Sequence, residues 1–78
     1  METIATRVLE ALMRSYGGRM STGQLAYSAG YEHPKNIRPT LYALQDKGYV
    51  RVRNGIGWQI LPPGVDVARQ IQEIRIME

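Results

Sequence analysis

The chain has 78 residues, enough for one small domain, and 44% of them are apolar. Cysteine is absent, which excludes disulfides, thiolate metal ligands and thiol nucleophiles and, in so small a domain, favours a reducing compartment such as the cytoplasm. The net charge is only +3, but residues 14–53 contain seven basic and two acidic side chains. A basic middle segment is expected if that part faces a polyanion, although a solvated surface would explain the charge equally well.

No apolar run approaches the roughly 18 residues that a membrane-spanning helix needs. The first residues also lack the basic start and the apolar stretch of a signal peptide. We therefore expect an intracellular protein that does not interact with membranes.

The first predicted helix covers residues 2–15. Ile4, Val8 and Leu12 recur at every fourth position, which places them on one apolar face of a helix. The pair of glycines at 17–18 is expected to end this helix, because glycine accepts the left-handed backbone of a helix C-cap.

The second predicted helix covers residues 22–29, after a short extended link at 19–20. Ser21 is followed three residues later by Gln24, a spacing that lets the two side chains cap the free amides at a helix start. Gly30 is expected to end this helix.

The third predicted helix depends on where Pro39 lies within it. A start at Pro34 would place Pro39 in the helix interior, where it removes a hydrogen bond at a cost of about 3 kcal/mol. A start at Asn36, with its side chain as the N-cap, leaves Pro39 in the first turn, where a missing amide is harmless. We therefore predict a helix over 36–47 that ends at Gly48. Its buried face would consist of Ile37, Leu41 and Leu44.

Two extended runs, 49–53 and 57–61, predict a β-hairpin. The Asn54-Gly55 pair between them is a strong signal for a two-residue turn, but that turn would place Trp58 on the face opposite Val52. A loop with one more residue, or three more, pairs Val52 with Trp58 and gathers the apolar side chains on one face and the arginines on the other. Because the buried face determines the register, we favour the odd-length loop.

The last predicted helix covers residues 65–77 and follows a break at 62–64. Val67, Ile71 and Ile74 form an apolar stripe along it. This stripe could pack against the first helix of the same chain or against the same helix of a second chain. We favour a homodimer, because a small domain gains stability from a partner and a symmetric dimer suits a two-fold DNA site.

The elements follow the order helix, link, helix, turn, helix, hairpin and final helix. The motifs that stand in this order are Ser21-Thr22, Gln24-Leu25-Ala26, Gly30, Leu41-Tyr42-Ala43-Leu44, Lys47-Gly48-Tyr49-Val50 and Trp58-Gln59-Ile60-Leu61. With these motifs, residues 21–60 resemble a winged helix-turn-helix domain of the type found in small prokaryotic and viral transcription regulators. The resemblance implies a mainly α fold with a small β-hairpin (α+β). It would have a three-helix core and a two-stranded wing in residues 1–61, and an accessory helix in residues 62–78.

The resemblance also implies binding of double-stranded DNA, with the third helix in the major groove and the wing on the flanking backbone or minor groove. The candidate DNA-binding residues are Ser21, Thr22, Lys35, Asn36, Arg38, Pro39, Thr40, Tyr42, Arg51, Arg53, Asn54 and Gly55. Arg38 could read a guanine or hold a phosphate, and Tyr42 could contact a phosphate or a thymine methyl group. Arg51 and Arg53 are expected on the solvent face of the wing.

Each assignment has an alternative. Arg51 and Arg53 could keep an exposed strand edge from aggregating, and Tyr42 could pack on the wing. Asp46 lies on the same outer face and repels phosphate, which favours a second function, a winged helix that binds another protein in a larger assembly. A third and weaker alternative, binding of single-stranded nucleic acid, requires exposed aromatic residues on a sheet, whereas Trp58 is expected in the core.

No arrangement of residues points to catalysis. His33 is the only histidine, the carboxylates are scattered, and no glycine-rich phosphate-binding loop opens a helix. A lone histidine without cysteine or clustered carboxylates cannot build a metal site. We therefore expect a protein that is not an enzyme and has no cofactor, metal or small-molecule ligand.

Overall fold

The computed structural model describes residues 3–15, 19–55 and 57–77. In chain order, the elements in these residues are α1 (Ile4–Arg14), β1 (Arg19–Met20), α2 (Thr22–Ser28), a 3₁₀ turn (Pro34–Asn36), α3 (Arg38–Asp46), β2 (Val50–Arg53), β3 (Gly57–Ile60) and α4 (Pro62–Met77). The strands form one antiparallel sheet with the order β1-β3-β2. The prediction of a mainly helical α+β chain is confirmed, with corrections at β1, at the start of α3 and at the start of α4.

Two reciprocal caps define the starts of α1 and α2. The Ser21 hydroxyl accepts the Gln24 backbone N–H at 3.2 Å, and the Gln24 side chain accepts the Ser21 N–H at 3.3 Å, as predicted. Thr3 forms the same reciprocal cap with Thr6, the third residue of α1. The sequence does not predict this cap, because position 6 holds Thr and not the usual Glu or Gln. Gly30 follows α2 with a φ of +91°, which confirms it as the end of that helix. The predicted end of α1 at 17–18 lies outside the described residues.

The start of α3 differs from the prediction. Asn36 is not its N-cap, because Pro34–Asn36 form a 3₁₀ turn and Ile37 precedes the helix without a side-chain cap. The turn leads directly into the helix: the Ile37 N–H bonds the Pro34 carbonyl at 3.1 Å, so the turn itself satisfies an amide ahead of α3. Pro39 does lie in the first turn, where its missing amide is harmless.

The predicted link at 19–20 is a third strand, β1, so the sheet is larger than the predicted two-stranded hairpin. Met20 pairs with Trp58 of β3. Gly57 permits this close approach, because its φ is +95° and a Cβ atom there would lie 2.5 Å from the Met20 carbonyl oxygen. A strand of two residues is too short for the alternation of side chains to reveal it in the sequence.

The hairpin of β2 and β3 has the predicted register. Val52 pairs with Trp58 and Val50 pairs with Ile60, which places the apolar side chains on one face. Val50 and Trp58 are buried, whereas Val52 near the tip is 44% exposed. The prediction that Trp58 belongs to the core is confirmed.

One hydrophobic core joins the helices and the sheet. The predicted buried face of α3 is confirmed, since Ile37, Leu41 and Leu44 are at most 5% exposed. The other buried apolar residues of this core are Val8, Leu9, Ala11, Leu12, Leu25, Ala26, Ala29, Val50, Trp58 and Ala68. The opposite face of α3 consequently points to solvent.

The last helix starts three residues earlier than predicted, at Pro62, and packs against α1. Its two prolines occupy the first turn, where their missing amides break no helical hydrogen bond. Gly64 lies against the Tyr49 carbonyl and the Ile60 side chain, where a Cβ atom has no room. The 62–64 segment is therefore the first turn of α4 and not a break, and Ala68 of this helix is fully buried.

We expect Leu44→Ala to lower the free energy of unfolding by about 2–5 kcal/mol, because it leaves a cavity in the core. Gln45→Ala is the matched control at the neighbouring, exposed position and should change that free energy by less than about 0.5 kcal/mol. Urea denaturation followed by circular dichroism measures both. Equal losses would contradict the orientation of α3.

Candidate nucleic-acid interface

The outer face of α3 is accessible along its whole length. Arg38, Pro39, Tyr42, Ala43 and Asp46 are exposed, as their positions opposite the buried face predict. Two further candidates, Lys35 and Asn36, are exposed in the 3₁₀ turn ahead of the helix, and Thr40 is half-buried at its edge. These side chains form the first part of the candidate interface.

Tyr42 connects this face to the sheet. Its ring meets the Trp58 ring edge-on, with 5.8 Å between the ring centroids and an angle of 74° between the planes, a favourable arrangement for aromatic pairs. Tyr42 nevertheless keeps 56% of its surface exposed. The Tyr42 side chain therefore packs against the hairpin and is also accessible to a partner. Packing on the hairpin and contact with DNA, the two alternatives predicted for this residue, are thus compatible.

Trp58 in turn connects the sheet to α2. Its indole N–H donates to the Thr22 hydroxyl at 2.9 Å. Thr22 is half-buried, while its neighbour Ser21 is exposed and its hydroxyl accepts the Gln24 amide. Both candidate hydroxyls thus act as acceptors within the protein, and each still has an O–H that can donate to a phosphate oxygen.

The tip of the hairpin is the third part of the candidate interface, after the outer face of α3 and the two hydroxyls at the start of α2. Arg53, Asn54 and Gly55 are exposed, and Gly55 has a φ of +80°, a left-handed conformation that favours glycine.

Arg51 lies on the arginine-bearing face of the hairpin, as predicted, but it is less exposed than Arg53. It is half-buried because it lies across from Gln59, and its Nη2 donates to the Gln59 Oε1 at 3.4 Å. Its Nε is buried and finds no hydrogen-bond acceptor in the described part of the chain. Arg53 is therefore the more accessible of the two cations.

Sequence reasoning missed three residues of potential importance. Arg19 is exposed on β1, next to Gln59 of β3. Tyr27 on α2 is 86% exposed, and Glu10 on α1 is buried. The residue that follows Tyr27 is polar and does not predict the exposure of Tyr27. The position of Arg19 beside Gln59 depends on β1, which the sequence does not predict as a strand.

The described residues show no candidate metal site. His33 is exposed in its turn, and these residues contain no group of His, Asp and Glu side chains that could hold a metal ion. Among the helices described, none has the length and apolarity to cross a membrane. Comparison with protein-family models, curated proteins and solved structures finds no match to this chain.

The Trp58–Thr22 bond yields a direct test. We expect Thr22→Val, which preserves shape but removes the acceptor, to lower the free energy of unfolding by about 1–3 kcal/mol, because the buried indole N–H loses its partner. Thr22→Ser keeps the hydroxyl and is the matched control. Trp58 is the only tryptophan, so its fluorescence reports the local change alongside the denaturation curve. Identical behaviour of the two variants would mean that the bond does not stabilise the fold.

Proposed function

We propose that this chain is a winged helix-turn-helix domain that binds duplex DNA and acts as a transcription regulator without enzymatic activity. The order of elements, with β1 between the first two helices and the β2–β3 hairpin after α3, supports this assignment. The observation that carries it is the position of the exposed face of α3 beside a basic hairpin, the two being in contact through Tyr42 and Trp58. Such a regulator would work on DNA in the cytoplasm, the compartment favoured by the absence of cysteine.

In this proposal α3 enters the major groove by its N-terminal half. An α-helix fits that groove, and an arginine there can form two hydrogen bonds with a guanine. Arg38, at the first position of α3, is exposed and suited to this contact. Tyr42, one turn further along, would contact a phosphate or a thymine methyl group. The hydroxyls of Ser21 and Thr22 would donate hydrogen bonds to phosphates of the DNA backbone.

The hairpin serves as the wing. Arg53 next to the glycine at its tip would contact the minor groove or its phosphates. Because contacts of this kind replace condensed counterions, binding should weaken steeply as the salt concentration rises.

A specific observation favours one alternative, a winged helix that binds another protein. Asp46 is exposed on the same outer face of α3 and would repel phosphate. A gel shift with generic duplex DNA at low salt separates the two functions, since electrostatic attraction alone should produce binding under these conditions. Complete absence of a shift would favour the protein partner. If a shift is seen, selection of duplexes from a random pool would define the sequence preference and the half-site symmetry.

A homodimer through α4 is the second part of the proposal. Val67 and Ile71 of the apolar stripe are half-buried within the chain, but Ile74 is 58% exposed. A two-fold pair of α4 helices would cover Ile74 and present two recognition helices to a palindromic site.

We expect Arg53→Ala to lower the slope of log affinity against log salt concentration by about one, because one phosphate contact is lost. Fluorescence anisotropy with a labelled duplex over a series of salt concentrations gives the slope. Arg69→Ala on α4 removes an equal charge from an exposed position on another element and is the control. A slope unchanged by Arg53→Ala would remove the hairpin from the interface.

We expect sedimentation analysis to show a dimer that Ile74→Ser converts to a monomer. Ile76→Ser is the matched control, because Ile76 is 85% exposed and lies about 200° around the helix from Ile74. A monomeric wild-type chain, or equal effects of the two substitutions, would contradict an α4 dimer.

A further inference from the structure

The outer sheet face, defined here as Arg19, Arg51, Arg53 and Gln59, gathers three cations from two parts of the sequence. Arg19 of β1 and Arg51 of β2 both lie opposite Gln59 of the central strand. The two arginine Cα atoms are therefore separated by two strand spacings, about 10 Å. Arg53 follows on the same face, since side chains alternate along a strand.

This face points away from the core. The other face of the sheet carries Val50 and Trp58, which are buried, and Trp58 is the residue that meets α3 through Tyr42. The outer sheet face therefore looks in the opposite direction from α3. Any polymer that touches it must pass on the far side of the hairpin.

The chemistry of the outer sheet face suits an anion. None of the three strands contains Asp or Glu. Gln59 holds the guanidinium of Arg51 through the 3.4 Å bond, and the described residues offer no acceptor to the Arg51 Nε. An approaching anion would stabilise a cation for which the described residues provide no carboxylate partner on this face.

Of the two arginines that lie opposite Gln59, Arg19 is the more accessible. Its side chain is exposed and lines an open groove of about 550 Å³ together with Met20, Gln24 and Tyr27.

We propose that the outer sheet face binds phosphates of the DNA strand that lies across the minor groove from the strand contacted by α3, with Arg19 as a principal contact. This inference rests on the proposed binding of duplex DNA. The minor groove is only about 6 Å wide, so a hairpin that reaches its rim is close to the phosphates of both strands. In this arrangement α3 contacts one of the two strands, and the arginine-bearing outer sheet face contacts the other.

The test compares Arg19→Ala, Arg19→Lys and Arg69→Ala with the wild-type chain, by anisotropy with a labelled duplex over a series of salt concentrations. Arg19→Ala should lower the slope of log affinity against log salt concentration by about one. Arg19→Lys keeps the charge and should retain the wild-type slope. Arg69→Ala loses a charge on α4, outside the outer sheet face, and should retain it as well. Circular dichroism and denaturation curves confirm that each variant is folded.

The outcomes separate this inference from the proposed function. Absence of wild-type binding to duplex DNA at low salt would overturn both. A slope that falls with Arg53→Ala but not with Arg19→Ala would overturn the contact at Arg19 alone and leave the proposed function in place.

A second measurement asks whether Arg19 contacts the same duplex as α3. One biotinylated duplex on beads is saturated with protein, and capture of a second, fluorescent duplex is measured at salt concentrations that equalise the affinities of wild type and Arg19→Ala for a single duplex. Equal capture by the two proteins is expected. Capture that disappears only with Arg19→Ala would assign the outer sheet face to another duplex and overturn the proposal.

Discussion

The indole of Trp58 is the interaction on which the arrangement of the candidate interface depends. It is 3% exposed, donates its N–H to Thr22 on α2 and meets the Tyr42 ring of α3 edge-on. The β2–β3 hairpin belongs to a three-stranded sheet, and these contacts join that sheet to α2 and α3. Since a buried indole N–H requires an acceptor, rotation of the hairpin away from α2 would leave it unsatisfied. Contacts in the core therefore contribute to the position of the hairpin relative to α3.

Gly57 extends this constraint to the third strand. Its left-handed backbone and missing Cβ atom let the Met20 carbonyl approach β3, which places Met20 opposite Trp58 and Arg19 opposite Gln59. The same contact thus places Met20 on the face of the sheet that carries Trp58 and adds a cation to the other face. Any larger side chain at this position would force β1 away, and both the packing around Trp58 and the row of cations would be lost.

The parts of the fold that could be predicted are those with a repeating pattern. The buried positions of α3 follow from the spacing of Ile37, Leu41 and Leu44, and the hairpin register follows from the requirement that both apolar sets share one face. What could not be predicted depends on contacts between distant residues: β1 is too short to show alternation, and Arg51 is half-buried where Gln59 lies opposite. The exposed face of α3 was accessible to sequence reasoning, whereas the position of Arg19 was not.

Two basic side chains of residues 14–53 donate hydrogen bonds within the chain. Arg14 donates to the Ser28 carbonyl at 3.3 Å and Arg51 donates to Gln59, while Arg38 is exposed at the start of α3. Asp46 lies eight residues further along α3, which is about 12 Å at the rise of an α-helix. That distance exceeds the Debye length of about 8 Å at physiological salt, and the repulsion that Asp46 exerts on a phosphate near Arg38 is largely screened. The carboxylate therefore opposes deep insertion of the C-terminal end of α3 far more than contact by its N-terminal half.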